Sequence, residues 1–254
     1  MRRIATPGRV RALSNFAAIV FAAAAALAVA APARSTETGP GITPDAALER
    51  LRTGNESFAS GKSAFPRCSA DRRTQTAREG QKPIATVLGC SDSRAPLELL
   101  FDQGIGDLFV VRVAGNVASV DETGSVEYAV GHLGTPVIVV LGHSGCGAVT
   151  AVATGAELHG SVARLAENIR PAVEKAKAGH PGLSGEALVP AAVEENVWRS
   201  AEELFKSSAE VRERVREGTL KVVGAVYDLS SGRVTWLGPH PGQDRLAKEG
   251  TPAH

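Results

Sequence analysis

Two short clusters of reactive side chains stand out in the sequence, at residues 90–94 (CSDSR) and 143–147 (HSGCG). They contain two cysteines and one histidine, Cys90, His143 and Cys146, which are ligand types that zinc prefers. The His-x-x-Cys spacing lets both ligands of a loop turn toward one ion as the loop leads into a helix. Together the clusters predict a zinc site whose fourth position is left for water or for an aspartate.

Asp92 and Arg94 place a charged pair beside the predicted metal. Asp92 can fill the fourth position itself, or it can accept a hydrogen bond there while Arg94 holds its carboxylate with two donors. A closed structural zinc site is the main alternative, because thiolate-rich sites are often purely structural. Cys68, which precedes the first predicted strand among polar residues, is interpreted as a spare thiol or as a residue of a helix-capping region.

The elements that must position these clusters alternate between strand and helix. Apolar runs rich in β-branched residues predict buried parallel strands at 83–89, 107–113 and 136–142. Helical patterns lie between them at 95–102 and 123–133. Both clusters follow the carboxyl end of a predicted strand, and parallel sheets build their sites at that edge. We therefore expect the two clusters to meet in space.

The remaining elements complete a single α/β domain with a mostly parallel central sheet flanked by helices. An amphipathic pattern at 44–59 predicts an N-terminal helical arm. Strands at 219–228 and 233–237 predict a hairpin that ends in a C-terminal antiparallel edge strand. Three further stretches have helical patterns: 69–79, 159–177 and 186–216.

The N-terminus has the order of an export signal. Residues 1–15 carry arginines and no acid, residues 16–31 are continuously apolar, and small residues follow at 31–33. The apolar run is shorter than the about 20 residues of a spanning helix, so we expect residues 1–33 to be a cleaved signal peptide. This predicts a periplasmic or secreted protein without stable membrane insertion. The rest divides into a linker, a domain and a C-terminal tail: 34–44, 45–240 and 241–254.

Composition narrows the class of protein further. The 254 residues are 43% hydrophobic and 22% charged with a formal net charge of +1, which is typical of a globular domain. Four of the 28 lysines and arginines fall in the first eleven residues, and 27 acidic residues balance the others, so no basic stripe indicates a nucleic-acid partner. Three cysteines fit two metal ligands plus one spare thiol, although composition alone does not decide between that and disulfide pairing.

With these motifs the chain resembles the β-class carbonic anhydrases, zinc enzymes that interconvert carbon dioxide and bicarbonate. The two signatures of that family match residues 90–94 and 143–147, and the likeness covers about 45–238. The resemblance implies reversible hydration of carbon dioxide by zinc-bound hydroxide, one zinc ion per chain and a homodimer or homotetramer. It continues through three further segments: 80–83, 107–116 and 124–130.

The resemblance also assigns roles to individual residues. It implies that Cys90, His143 and Cys146 are the zinc ligands and that Asp92, paired with Arg94, orients the hydroxide. In a closed form of the site Asp92 binds the metal instead. The remaining assigned residues line the small substrate pocket, with the two aromatic ones reaching it across a dimer interface: Gln81, Phe109, Tyr128 and Gly145.

Three other functions remain open. A zinc hydrolase of carbon disulfide or carbonyl sulfide needs the same hydroxide and a reshaped pocket mouth. A catalytically silent module would only bind zinc or bicarbonate, which intact Asp92, Arg94 and Gln81 disfavour. A cysteine-dependent phosphatase or sulfurtransferase with Cys90 as nucleophile leaves the motif at 143–146 unexplained.

Overall fold

Residues 41–249 are described by the structure, which is a computed structural model. The predicted signal peptide at 1–33 lies outside the described residues, as do the first part of the linker and the last five residues of the chain. Within 41–249, no helix combines the length and the apolar character that crossing a membrane requires.

The central sheet has five strands: β1 (Ala85–Cys90), β2 (Leu108–Val113), β3 (Val137–His143), β4 (Lys221–Tyr227) and β5 (Val234–Gly238). They lie in the order β2-β1-β3-β4-β5, in which β5 runs antiparallel to β4 and the other neighbours are parallel. Strands β1 and β3 are buried along their whole length, as expected for parallel strands covered on both faces. The predicted α/β class and its antiparallel edge are confirmed.

The helices of the described part of the chain flank this sheet. Their bounds are α1 (Pro44–Ala59), α2 (Ala70–Glu79), α3 (Leu97–Leu100), α4 (Val120–Glu127), α5 (Gly147–Thr154), α6 (Gly160–Gly179), α7 (Val189–Ser207), α8 (Ala209–Arg216) and α9 (Gln243–Glu249). Helix α1 begins where it was predicted, because the Thr43 side chain accepts the N–H of Ala46 and a proline occupies the first turn. The helices predicted at 69–79 and 159–177 are confirmed as α2 and α6.

Two predicted helices between the strands differ from the observed ones. The stretch 95–102 forms only the single turn of α3, because Pro96 disfavours a helical conformation in the residue before it and Asp102 has a left-handed φ of 47° just beyond the end. The helix predicted at 123–133 begins earlier, because Ser119 and Glu122 form a capping box. Its second half continues as a π-helical turn.

The long helix predicted at 186–216 is interrupted. A 3-10 turn at Gly185–Leu188 precedes α7, and Ser208 separates α7 from α8. The Ser208 hydroxyl accepts the N–H of Val211 at 3.2 Å, so it caps α8 rather than continuing α7. A capping serine inside a continuous helical pattern therefore marks a break.

The core lies on both faces of the sheet. One cluster packs α1 and α3 against the strands, with Leu51 and Phe101 fully buried. A second packs α7, α8 and α9 on the opposite face and contains Phe205 and Leu246, and a third surrounds Cys90 and Cys146. Helix α9 lies within the predicted tail at 241–254, where no helix was predicted, and its apolar side completes this second cluster.

Two features fix helices close to the strands. A Cβ atom on Gly142 would lie 2.8 Å from Val197 Cγ2, so this glycine lets α7 approach the end of β3. On the opposite face, Asn55 of α1 donates from Nδ2 to Gly232 O at 2.9 Å and accepts the N–H of Val234 at 2.8 Å. Helix α7 is thereby set over the second sequence cluster, and α1 is tied to the β4–β5 hairpin.

Candidate metal centre

The carboxyl ends of β1 and β3 bring the two sequence clusters together. Gly89 pairs with Leu141 in the parallel register, so Cys90 and His143, at the ends of their strands, emerge at the same edge. Both side chains are buried, with 6% and 1% exposure of the residue. The predicted meeting of the two clusters is observed.

The loop after β1 is held by a residue that was not predicted. Arg112 in β2 donates from Nε to Cys90 O at 2.9 Å and from Nη2 to Asp92 O at 2.6 Å. These charge-assisted hydrogen bonds fix two carbonyls of the loop and so orient the side chains between them. In the sequence, Arg112 is a charged residue inside the apolar run 107–113. That pattern does not reveal which groups the charge contacts.

The loop after β3 is held mainly through its backbone. The Ser144 N–H donates to Tyr227 O at 2.8 Å, and Ser144 Oγ accepts the N–H of Leu229 at 2.9 Å. His143 Nδ1 lies 3.0 Å from Ser144 O. Because a carbonyl only accepts, Nδ1 carries the proton in this contact, which leaves the lone pair of Nε2 free to bind a metal.

Cys90, His143 and Cys146 converge on one point. Their ligand atoms all lie within 4.8 Å of one another, and the two Sγ atoms are 4.0 Å apart. Gly145 lies in the turn between His143 and Cys146 and has a left-handed φ of 62°. His143 Nε2 is buried without a hydrogen-bond partner among the described residues, a costly arrangement unless a cation satisfies it. The exposed Cys68 takes no part.

The two sulfurs perturb each other's pKa. Contact with Cys146 lowers the pKa of the Cys90 thiol against the effect of burial, and His143 and the N–H of Gly115 lower it further. The same contact and burial raise the pKa of Cys146. Burial opposes protonation of His143, but Cys90, the Ser144 carbonyl and Asp92 together outweigh it and raise the histidine's pKa. The Gly115 N–H thus favours Cys90 as the sulfur that ionises first, and a bound cation would ionise both thiols.

Asp92 borders this group but faces Arg94. The Arg94 guanidinium donates to both carboxylate oxygens, at 2.9 Å from Nε and 2.8 Å from Nη2, and the Arg94 N–H adds a third bond at 2.9 Å. These bonds hold the pKa of Asp92 well below its ordinary value. Asp92 Oδ2 lies 3.8 Å from His143 Nε2, so an ionised acceptor stands beside the three ligand atoms.

Three predicted pocket residues lie away from the ligands of their own chain. Phe109 pairs with Thr86, which precedes Cys90 by four positions of β1, or about 13 Å of strand. The Phe109 and Tyr128 rings contact each other, with centroids 5.9 Å apart. Gln81 is exposed ahead of β1, toward its amino end. One chain therefore does not bring these side chains to its own metal ligands.

A second support of the site was also not predicted. The Gly115 N–H, just after β2, donates to Cys90 Sγ at 3.3 Å. Asn196 in α7 donates from Nδ2 to Gly115 O at 2.7 Å. The sequence marks Asn196 only as a single amide side chain on the apolar face of the predicted helical stretch 186–216.

Comparison with known proteins defines the class of this chain. The sequence profile of the family described as carbonic anhydrase matches residues 85–234. Carbonic anhydrase 2 of Mycobacterium tuberculosis is 41% identical over 198 residues, which cover 76% of this chain and 93% of that protein.

Solved structures agree with the sequence relatives. The β-carbonic anhydrase CafA of Aspergillus fumigatus matches with a TM-score of 0.63 and 28% identity, over 76% of this chain and 96% of that one. A structure of the tetrameric β-carbonic anhydrases of Sordaria macrospora matches with a TM-score of 0.61 and 26% identity, over 75% and 96%. The chain belongs to the carbonic anhydrase family and, within it, to the β class. The predicted enzyme class is confirmed.

Proposed function

We propose that this protein catalyses the reversible hydration of carbon dioxide to bicarbonate and a proton, with one zinc ion per chain. The observation that carries the proposal is the convergence of Cys90, His143 and Cys146 beside a carboxylate, Asp92, that Arg94 holds in its ionised form. Membership of the β class supports the choice of substrate.

The donor set suits zinc in a catalytic role. Two sulfurs and one imidazole nitrogen leave a position open, as catalytic zinc sites do. Buried apolar side chains, including those of Val117, Val149 and Ile169, surround the sulfurs and limit the access of water. A bound zinc ion would supply Lewis-acid chemistry, which makes water acidic enough to act as a nucleophile near neutral pH.

Asp92 is the residue that orients the reacting water. An ionised carboxylate only accepts hydrogen bonds, so Asp92 can take an O–H of the water and leave the oxygen lone pair directed at carbon dioxide. Arg94 acts through Asp92, because its two donors hold both carboxylate oxygens in place. Movement of Asp92 onto the metal, the predicted closed form, requires those bonds to break.

We further propose a homodimer or homotetramer in which two chains complete each substrate pocket. Tyr128 is 48% exposed and packs at a tilt against the half-buried Phe109, and an exposed aromatic side chain suits burial against a second copy. Gln81 is likewise exposed, whereas Gly145 adjoins the ligands of its own chain. The tetrameric Sordaria macrospora relatives support an oligomer. Sedimentation that showed a fully active monomer would contradict this assembly.

Export to the periplasm or outside the cell, without stable membrane insertion after cleavage, is proposed from the sequence of residues 1–33 alone. Mass spectrometry of the protein recovered from the exported fraction tests this localisation. The expected mature chain begins near residue 34. An intact N-terminus in the membrane fraction would contradict cleavage.

Stopped-flow measurement of carbon dioxide hydration tests the proposed reaction. The purified protein is assayed together with its zinc content, before and after chelation, with Asp92→Asn as the matched variant. We expect about one zinc per chain and hydration that is lost on chelation. Activity that survives complete removal of zinc would overturn the proposal.

Two other results would point to the alternatives. Stoichiometric zinc with hydrolysis of carbon disulfide or carbonyl sulfide, but no hydration of carbon dioxide, would indicate the sulfur-substrate enzyme. Stoichiometric zinc without any turnover between neutral and alkaline pH would indicate the silent binding module.

A further inference from the structure

The turn after β2 holds a left-handed residue against the metal ligands. Gly115 has a φ of 72°, and a Cβ atom there would lie 2.6 Å from Ile169 Cδ1 and 3.3 Å from Ala148 Cβ. Only glycine fits both the backbone angle and the space. Because glycine is also the residue with the freest backbone, something else must fix the direction of the N–H that it donates to Cys90 Sγ.

Asn196 supplies that restraint from another element. Its Nδ2 donates to Gly115 O at 2.7 Å, so Gly115 is bound at its carbonyl by α7 and at its N–H by a ligand sulfur. Asn196 is 1% exposed and shares its face of the helix with the buried Ala192 and Val193, where an amide is costly unless it is hydrogen-bonded. The hydrogen bond to Gly115 offsets part of that cost.

We propose that Asn196 is a positioning residue for the metal ligand Cys90. It holds Gly115 so that the N–H of this glycine bonds the sulfur, which fixes the sulfur's position and withdraws part of its negative charge. Hydrogen bonds to ligand atoms orient them and tune their donation to a metal. The inference rests on the proposed function only in taking Cys90 to be a metal ligand.

Cobalt substitution gives a readout that does not depend on catalysis. In the Co²⁺ protein, loss of the N–H to sulfur bond raises the energy of the sulfur electrons, so the sulfur-to-cobalt absorption moves to longer wavelength. We expect this shift in both Asn196→Leu and Asn196→Ala, and release of zinc to a chelator that is about tenfold faster. Asn196→Leu keeps the side-chain volume and Asn196→Ala reduces it. If both variants show the same absorption shift and the same release rate, a change in packing is excluded as the cause.

Ser200→Ala is the matched control. Ser200 is buried one turn further along α7, and its removal is expected to change neither the absorption nor the release rate. Folded Asn196 variants with the absorption and the release rate of the parent protein would overturn the inference. A parent protein that takes up no cobalt would instead overturn the proposed metal centre.

A second measurement needs no variant. In the ¹¹³Cd-substituted parent protein, the Gly115 amide proton should show a scalar coupling to cadmium through its hydrogen bond to Cys90. Absence of that coupling from an assigned Gly115 resonance would overturn the inference even if the Asn196 variants do not fold.

Discussion

Two aspartates, each bound by arginine, lie at opposite ends of the parallel strands: Asp92 at the carboxyl ends and Asp107 at the amino ends. They show what the same pairing does in two settings. Asp92 follows the carboxyl end of β1 and is bound by Arg94, two residues away. Asp107 precedes the amino end of β2 and is bound by arginines from three segments that are distant in sequence. The Nη2 atoms of these arginines lie 3.8, 2.6 and 3.5 Å from its carboxylate: Arg50, Arg67 and Arg72.

The ion pairs of Asp92 and Asp107 differ in burial and in the sequence separation of the residues that they join. Asp107 has a side-chain exposure of 7% and also accepts the N–H of Gly104, so its charge joins α1, α2 and the loop before β2. Arg94 is 60% exposed, and its bond to Asp92 closes only a short loop. Removal of one member of a buried long-range cluster leaves its partners without their counter-charge and so destabilises the fold, whereas a local pair open to solvent can serve chemistry without supporting much structure. The two sites are therefore expected to fail in different ways.

Asp92→Asn should have the largest effect, and the effect should fall on catalysis. The amide oxygen still accepts a hydrogen bond, but the charge is lost and Arg94 no longer faces a carboxylate. We expect kcat/KM for carbon dioxide hydration to fall about 100- to 1,000-fold with zinc content unchanged. Thermal unfolding should move little, and a large loss of stability would remove the contrast with Asp107.

Asp107→Ala should have the reverse effect. It removes the one carboxylate that three guanidinium groups and the N–H of Gly104 share, so we expect unfolding in urea to show a loss of about 2–4 kcal/mol. Activity per folded molecule should stay within about twofold of the parent, since no ligand lies at this edge. A tenfold fall in kcat/KM for fully folded Asp107→Ala would show that the Asp107 site is coupled to the metal centre.

Arg94→Lys sharpens the comparison at the level of geometry. Lysine keeps the charge but has no planar fork to hold both oxygens of Asp92. We expect kcat/KM to fall about tenfold. Arg67→Lys at the other edge is the matched control, and steady-state kinetics should show no change in it. Equal activity of Arg94→Lys and the parent would mean that charge alone positions Asp92.

The smallest expected effect is the pH dependence of stability that Asp92 contributes. Its pKa is lowered in the folded protein, so its stabilisation is complete at neutral pH and is lost as the pH falls through the acid range. The difference in unfolding free energy between the parent and Asp92→Asn should be constant above about pH 5 and shrink below it. Because Arg94 is exposed, the difference should not exceed about 1 kcal/mol. Arg94→Met is expected to abolish this pH dependence, and denaturation at a series of pH values measures it.

Local pattern predicted the ligands and the sheet that carries them. The apolar runs at 83–89 and 136–142 each end at a cluster whose side chains suit one metal. Because the two strands are parallel, their carboxyl ends lie side by side. Burial of Cys90, His143 and Cys146 follows from that placement. Each cluster and each strand is defined by residues that are near one another in sequence, and the parallel sheet joins the two clusters.

The features that sequence did not predict depend on partners far along the chain. Arg112 and Asn196 act on backbone carbonyls, which every residue possesses, so no motif marks the contact. Ser208 can continue a helix or cap one, and only the packing of α7 and α8 decides. Gln81 and Tyr128 are predicted to line the substrate pocket, and within one chain their side chains lie away from the metal ligands.

Asn55 has a consequence for how the chain is made. The two residues joined by its bond to Gly232 O are 177 positions apart, and Val234 follows at once. At about 5–20 residues per second, roughly 9–35 s of synthesis separates α1 from the hairpin that anchors it. During that time the apolar side of α1, including Leu51, has no completed sheet to cover it. A chain that stops short of the hairpin therefore exposes this helix, and proteases and aggregation are expected to remove such fragments.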